Sequence, residues 1–284
     1  MAFKRGRAAA LPPLANWAYA HRVDPEISLM DPADRALLRE AREMLEREDL
    51  VSRMSGLVGT PTERLLARLP AGWEGKVQIA TKKALEKAAA VALRGIDPNE
   101  PVDARTLEKN RWATIATGAV GGALGLAALP LELPASTVLM LRGVAEVARS
   151  EGESLDDPRL PLECVSVFAL GGYGSDESGS ETSYFVARAA LARAISEAAA
   201  SLASKGLSSG TSPALARLLG VISKHFAPLV GHKLAAQLAP VVGAAGGATV
   251  NALFSTHFQR VAAGHFRVRR LERKYGEATI EREW

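Results

Sequence analysis

Apolar positions recur at three- and four-residue spacing along most of this chain, with polar residues between them, and the pattern predicts helices. The clearest start is Asp31-Pro32-Ala33-Asp34, where Asp31 suits an N-cap and Pro32 the first helical position. Leu37, Leu38, Ala41, Met44 and Leu45 then follow one face, and Arg and Glu fill the other. Thr60 and Glu63 have the spacing of a capping box, with Leu65, Leu66 and Leu69 behind them, until Pro70-Ala71-Gly72 breaks the pattern. A helix rich in Ala and Lys is expected over 75–94, closed by Gly95. No charged residue occurs over the twenty positions 112–131, the length of a membrane span. Pro130 and Pro134 bracket Leu131, Glu132 and Leu133, and a helix is expected from Pro134 to Ser150. Another starts at Asp157-Pro158, carries Cys164, Val167 and Phe168, and stops at Gly171-Gly172. The small polar run 173–182 reads as a surface loop or linker, 183–204 as a helix, and 204–212 as a second loop. Helix resumes over most of 213–274, interrupted or kinked at Pro240.

Composition sharpens this to an all-α fold. Apolar residues make up 48% of the 284 positions but aromatics only 5%, so the apolar mass is Ala, Leu and Val. Aromatic and β-branched residues do not cluster at the alternating spacing a sheet would need. The expected organisation is an irregular arm over 1–30, one multi-helix domain over 31–277, and a tail over 278–284. A single cysteine, Cys164, excludes an intrachain disulfide and suits a reducing compartment. Pro12, Pro13, Asn16 and His21 interrupt any apolar stretch behind the basic N-terminus, so no secretory signal is expected.

Two segments repeat small residues every four positions. Gly118 and Gly122 are so spaced, as are Gly121 and Gly125; Ala235, Ala239, Gly243 and Gly247 continue the pattern in the second, beside Gly246. Residues four apart share a helix face, and each Gly within a helix costs about 1 kcal/mol against Ala. A stripe that accepts that cost gains from close backbone approach. The two segments are therefore expected to pack together as a Gly/Ala-rich helical hairpin at the centre of the domain. The pattern fits both a hairpin buried in a globular domain and one embedded in lipid.

The formal net charge of +4 identifies no partner by itself. The positive charge gathers at the chain ends, above all at Arg267, Arg269, Arg270, Arg273 and Lys274. These five are candidates for contact with an anionic membrane surface, and a solvated helix face is the plain alternative. No nucleic-acid module accompanies them, so no nucleic-acid partner is expected. Glu132, Arg142, Asn251, His257, Gln259 and His265 are candidate polar residues of the core. Glu132 reads either as a buried acid–base group or as an acid placed against a helix N-terminus. His257 and His265 lie eight apart, too far for a two-histidine metal pair, and mutual hydrogen bonding between packed helices is the simpler reading. Cys164, at helical spacing with Leu160, Val167 and Phe168, reads as a buried apolar residue. No GxSxG, HExxH, Walker, CxxC or GxGxxG pattern is present, so no catalytic residue, metal or cofactor is assigned.

Several motifs taken together resemble the EcsC protein family over residues 27–277. They include Trp112-Ala113, Thr117-Gly118, Gly121-Gly122 and Gly125, followed by Glu132-Leu133-Pro134 and Met140-Leu141-Arg142. Further on come Ala148-Arg149-Ser150-Glu151-Gly152-Glu153, Phe168-Ala169-Leu170-Gly171-Gly172 and Pro240-Val241-Val242-Gly243-Ala244. His257-Phe258-Gln259, Gly264-His265-Phe266 and Arg269-Arg270-Leu271-Glu272 close the set. Many relatives carry Asp where this chain has Glu132, which keeps the charge. The resemblance implies a fold rather than a reaction. Because the family is named for a protein encoded beside an ABC transport system, it implies a bacterial setting with transport-system proteins as partners and a role in transport or envelope maintenance. The expectation is a non-catalytic, membrane-associated helical protein, soluble or membrane-bound on the cytoplasmic side, with membrane lipid as a partner. The alternatives are a soluble helical protein holding a lipid or another apolar ligand, and a hydrolase with an unrecognised site.

Overall fold

Residues 160–170 read LPLECVSVFAL, apolar nearly all round, and a helix of that kind has to lie inside the molecule. In the computed structural model it does. The structure describes residues 30–46, 50–93, 129–154, 156–172, 183–205, 212–237 and 243–284. Among these, the regular elements are all α-helices: α1 (Pro32–Glu46), α2 (Leu50–Val58), α3 (Thr62–Leu66), α4 (Trp73–Leu93), α5 (Leu129–Ser150), α6 (Leu160–Leu170), α7 (Ser183–Lys205), α8 (Pro213–Gln237), α9 (Gly243–Tyr275) and α10 (Glu277–Glu283). Helix α6 is the hub. It packs against α4, α5, α7, α8 and α9, and nine of its eleven residues are buried. Around it, α4 lies along α5 and α8, while α1 runs against α9. The core includes residues from Met30 to Ile280. At its centre Phe168 of α6, Phe226 of α8 and Phe258 of α9 meet with ring centroids 5.0 to 5.5 Å apart.

Local chemistry sets several boundaries differently from the sequence expectation. Leu50, Met54 and Val58 share one face of α2, a helix that the sequence reading passed over. The Thr60–Glu63 capping box does not form: α3 is capped by Pro61 with no side-chain cap bond. The hydroxyl of its neighbour Thr62 lies instead 2.9 Å from His232 Nδ1. Helix α5 begins at Leu129 rather than at Pro134. Pro130 falls in the first turn, where its missing N–H costs nothing, and Pro134 stands just beyond it, so one backbone bond at the helix start is forgone. One turn on, the Thr137 hydroxyl donates back to Leu133 O at 2.7 Å. Most of 278–284, expected as a tail, belongs to α10, which buries Ile280 completely.

Two glycines hold this arrangement. Gly152 ends α5 at φ +80°, a conformation costly for any residue with a side chain, and so turns Glu151 and Glu153 towards α9. Gly264 marks the crossing of α1 and α9. A Cβ there would lie 3.0 Å from Ala41 O and 2.8 Å from Leu45 Cγ. The segment carrying Gly118, Gly121, Gly122 and Gly125 lies outside the described residues, as do 1–29, 173–182 and Pro240, so the expected pairing of the two glycine-rich segments falls there too. Gly243 opens α9, with Gly246 half-buried and Gly247 buried. Arg142 is corrected from a core candidate to an exposed residue. The face of α5 that buries Leu141, Val144, Ala145 and Ala148 turns it to solvent.

Candidate functional site

Three helices bring a charged cluster into the core. Glu132 stands in the first turn of α5, Lys233 near the end of α8 and Asn251 on α9. Lys233 Nζ donates to Glu132 Oε1 at 2.7 Å, and Asn251 Nδ2 donates to the same oxygen at 3.0 Å. Glu132 is 6% exposed, Lys233 2% and Asn251 1%. The Lys233 ammonium also lies 5.5 Å from the centre of the Phe254 ring, which adds a cation–π attraction in a site shielded from water. Lys233 was not singled out from sequence. The available signal was a lone lysine at core spacing, between Val230 and Leu234.

Of the other candidates, His257 Nε2 lies 3.0 Å from Gly171 O, and since a carbonyl only accepts, that nitrogen carries the proton. Gln259 is half-buried beside Gly143 of α5, its Nε2 where a Cβ on that glycine would meet it at 2.9 Å. Cys164 is buried, and burial pushes its thiol far above the usual range, so it stays protonated and inert. The structure thus joins Glu132 with Asn251, and leaves His257, Gln259 and His265 at separate contacts along α9.

His265 belongs to a second polar group. Its Nδ1 lies 2.9 Å from the Tyr184 hydroxyl of α7, and its Nε2 faces Glu163 Oε2 at 3.8 Å, too far for a hydrogen bond. Nε2 has no hydrogen-bond partner although the residue is 1% exposed. Glu163 Oε1 also pairs with Arg269 at 3.1 Å. Beside them is a cavity of about 170 Å³ whose lining includes Arg159, Glu163, Arg188, Ser196, His265 and Arg269. Arg188 is held by Glu272 through two bonds, at 2.5 and 2.7 Å. Burial raises the Tyr184 phenol, so it remains protonated beside Nδ1. The result is a neutral tyrosine–histidine pair beside the Glu163 carboxylate, which burial pushes up but its positive neighbours hold below the usual range, at the edge of a small polar cavity.

The same group sets a pH response. Burial holds the His265 imidazole below its usual range, against the opposing pull of Glu163. The unfolded chain therefore binds that proton more readily. Its contribution to stability is full above about pH 6.5 and is lost as pH falls through that value towards the folded pKa. Glu153 acts in the same direction at lower pH: burial pushes its carboxyl up, but Arg269 and Arg273 outweigh that and hold it below the usual range. The thermal midpoint is expected to be flat above about pH 7 and to fall in two stages on acidification. In His265→Gln the upper stage should shrink. An unchanged profile in that variant, read by circular dichroism, overturns the assignment.

The five C-terminal cations all pair with acids. Arg267 pairs with Glu40 at 2.7 Å and Glu151 at 3.2 Å, and Arg270 with Glu151 at 2.9 Å. Arg269 pairs with Glu153 at 3.0 Å, Arg273 with the same carboxylate, and Lys274 with Asp34 at 2.6 Å. The turn at Gly152 thus supplies two carboxylates that serve four arginines.

Among the described residues no helix is long and apolar enough to cross a membrane, and no cluster of His, Cys, Asp and Glu has the makings of a metal site. In comparison with known proteins, the model of a family described as the EcsC protein family matches residues 34–271. No curated protein and no solved structure matches the chain.

Proposed function

This chain belongs to the EcsC protein family, and on that premise we propose that it is a non-catalytic helical protein that works attached to a membrane surface. The observation that carries the reading is Leu131. It stands 81% exposed at the start of α5, at the end of the twenty-residue run 112–131 that holds no charged side chain. Leaving a leucine so far in water forgoes roughly 2 kcal/mol of burial, which contact with lipid acyl chains recovers. The non-catalytic part rests on the cluster at Glu132. Lys233 and Asn251 occupy the acid inside the core, so it is not offered to a substrate. The setting we propose, from the family's association with a transport system, is transport or envelope maintenance.

The test is fractionation of cells expressing the full chain. The protein should pellet with membranes at physiological salt, and Leu131→Glu should move it towards the supernatant while leaving thermal unfolding unchanged, because the side chain is already exposed. Complete recovery of the unaltered protein in the soluble fraction without detergent refutes the reading. An alkaline carbonate wash separates surface attachment, which it releases, from embedding, which it does not.

A further inference from the structure

The five cations at the C-terminal end of α9 are engaged by acids, but a different set of cations is not. Helix α4 buries Val77, Ala84, Leu85 and Ala88 against its neighbours and turns the opposite side outward. On that side Lys76, Ile79, Lys83 and Lys87 follow one another at three- and four-residue steps, which places them on one face, with Lys82 at its edge. All four lysines are exposed, and none has a carboxylate within ion-pair distance among the described residues. Ile79 is 60% exposed in their midst. Beyond the Lys82 edge, Gln78 of α4 donates to Ser223 of α8 at 3.1 Å, which brings the exposed Lys224 beside the same surface. The acids of α4 itself are Glu74 at the helix start and the half-buried Glu86. Among the helices packed against α4 is α5, the one that carries Leu131.

We propose that this lysine face of α4 is the surface that meets an anionic phospholipid bilayer, with its ammonium groups at the headgroup phosphates and Ile79 at the boundary with the acyl chains. The proposal rests on the membrane reading above and adds which side of the molecule faces the lipid and what charge that lipid carries. Lysine suits the task because its ammonium is a mobile point charge on a long apolar stem that lies along an interface. An isoleucine between lysines favours a bilayer over a nucleic acid, which offers no apolar layer behind its phosphates. Each lysine near an anionic surface contributes about 1 kcal/mol, or roughly fivefold in partitioning.

The test uses the full chain and sedimentation with vesicles of mixed phosphatidylcholine and phosphatidylserine, compared with phosphatidylcholine alone. The unaltered protein should prefer the mixed vesicles, and less so at high salt. Lys83→Gln with Lys87→Gln should lower its partition coefficient by roughly 25-fold, the compounded effect of two lysines. Arg39→Gln with Arg193→Gln removes the same net charge from α1 and α7 and should change partitioning less than about threefold. Glutamine keeps helix propensity, so both variants should unfold like the parent. Equal losses in the two double variants, or no loss in either, overturn the α4 assignment and leave membrane attachment standing. Failure of the unaltered protein to bind either kind of vesicle removes both. Tighter binding to a short nucleic-acid duplex than to the mixed vesicles, lost in the α4 variant, assigns the face to a different partner and also overturns the proposal.

Discussion

Replacing Lys233 with methionine is expected to destabilise the protein by about 3–5 kcal/mol, because it leaves the Glu132 carboxylate buried without its counter-charge. The size follows from burial. At the surface such a pair would contribute about 0–1 kcal/mol, but the two side chains here are 2% and 4% exposed. Asn251 keeps one hydrogen bond to Glu132 Oε1 in that variant, which is not enough to hold an anion away from water. The loss is a large share of the roughly 5–15 kcal/mol that holds a typical domain folded, and should lower the thermal midpoint by about 10 °C. The double variant Glu132→Gln with Lys233→Met removes both charges and should recover more than half of the loss. A single Lys233→Met variant that unfolds at the same denaturant concentration as the parent would show that the ion pair is not formed in the folded protein.

Phe258→Ala is the second large effect, at about 3–5 kcal/mol. Phe258 is fully buried, and its ring meets Phe168, Phe226 and Phe254 at centroid distances of 5.0, 5.5 and 5.9 Å. Those contacts join α6, α8 and α9, so truncation opens a cavity where three helices converge and none can move in without disturbing the others. Val186→Ala is the comparison: at 63% exposure it should cost less than about 0.5 kcal/mol. Urea unfolding of both variants measures the contrast, and a midpoint shift for Phe258→Ala no larger than that for Val186→Ala would rule out the triple contact.

What could be read from the sequence divides by range. Helix α1 was legible because everything that specifies it lies within fifteen residues: a capping aspartate, a proline in the first turn and a leucine stripe. Indeed Asp31 Oδ1 accepts from Ala33 N at 2.8 Å. The all-helical class and the polar, buried character of Glu132 and Asn251 were legible for the same reason. The start of α5 was not, since two prolines near a helix start can as well precede the helix as belong to its first turns. The capping box failed because α3 starts at Thr62, which leaves Pro61 rather than Thr60 at the N-cap. Lys233 was missed for want of its partner, 101 positions away. The same holds for the C-terminal cations. Their composition suggested an open basic surface, but carboxylates 116 positions earlier take up Arg267 and Arg269. Charge counts along a chain do not distinguish cations that face one another's counter-ions from cations that face solvent, whereas exposure along α4 does.

The pairing of α1 with α9 also sets a timetable for synthesis. Asp34 and Lys274 are 240 positions apart, and Arg42 reaches Trp284, 242 positions on. A ribosome adding roughly 5–20 residues per second needs on the order of 10–50 s between making the first helix and making the one that covers it. Until then Leu38 and Ala41 lack the helix that covers them, so the nascent chain carries an open apolar stripe on α1 until α9 has been made. The interval in which α1 most needs a chaperone is therefore the one between its own synthesis and that of α9.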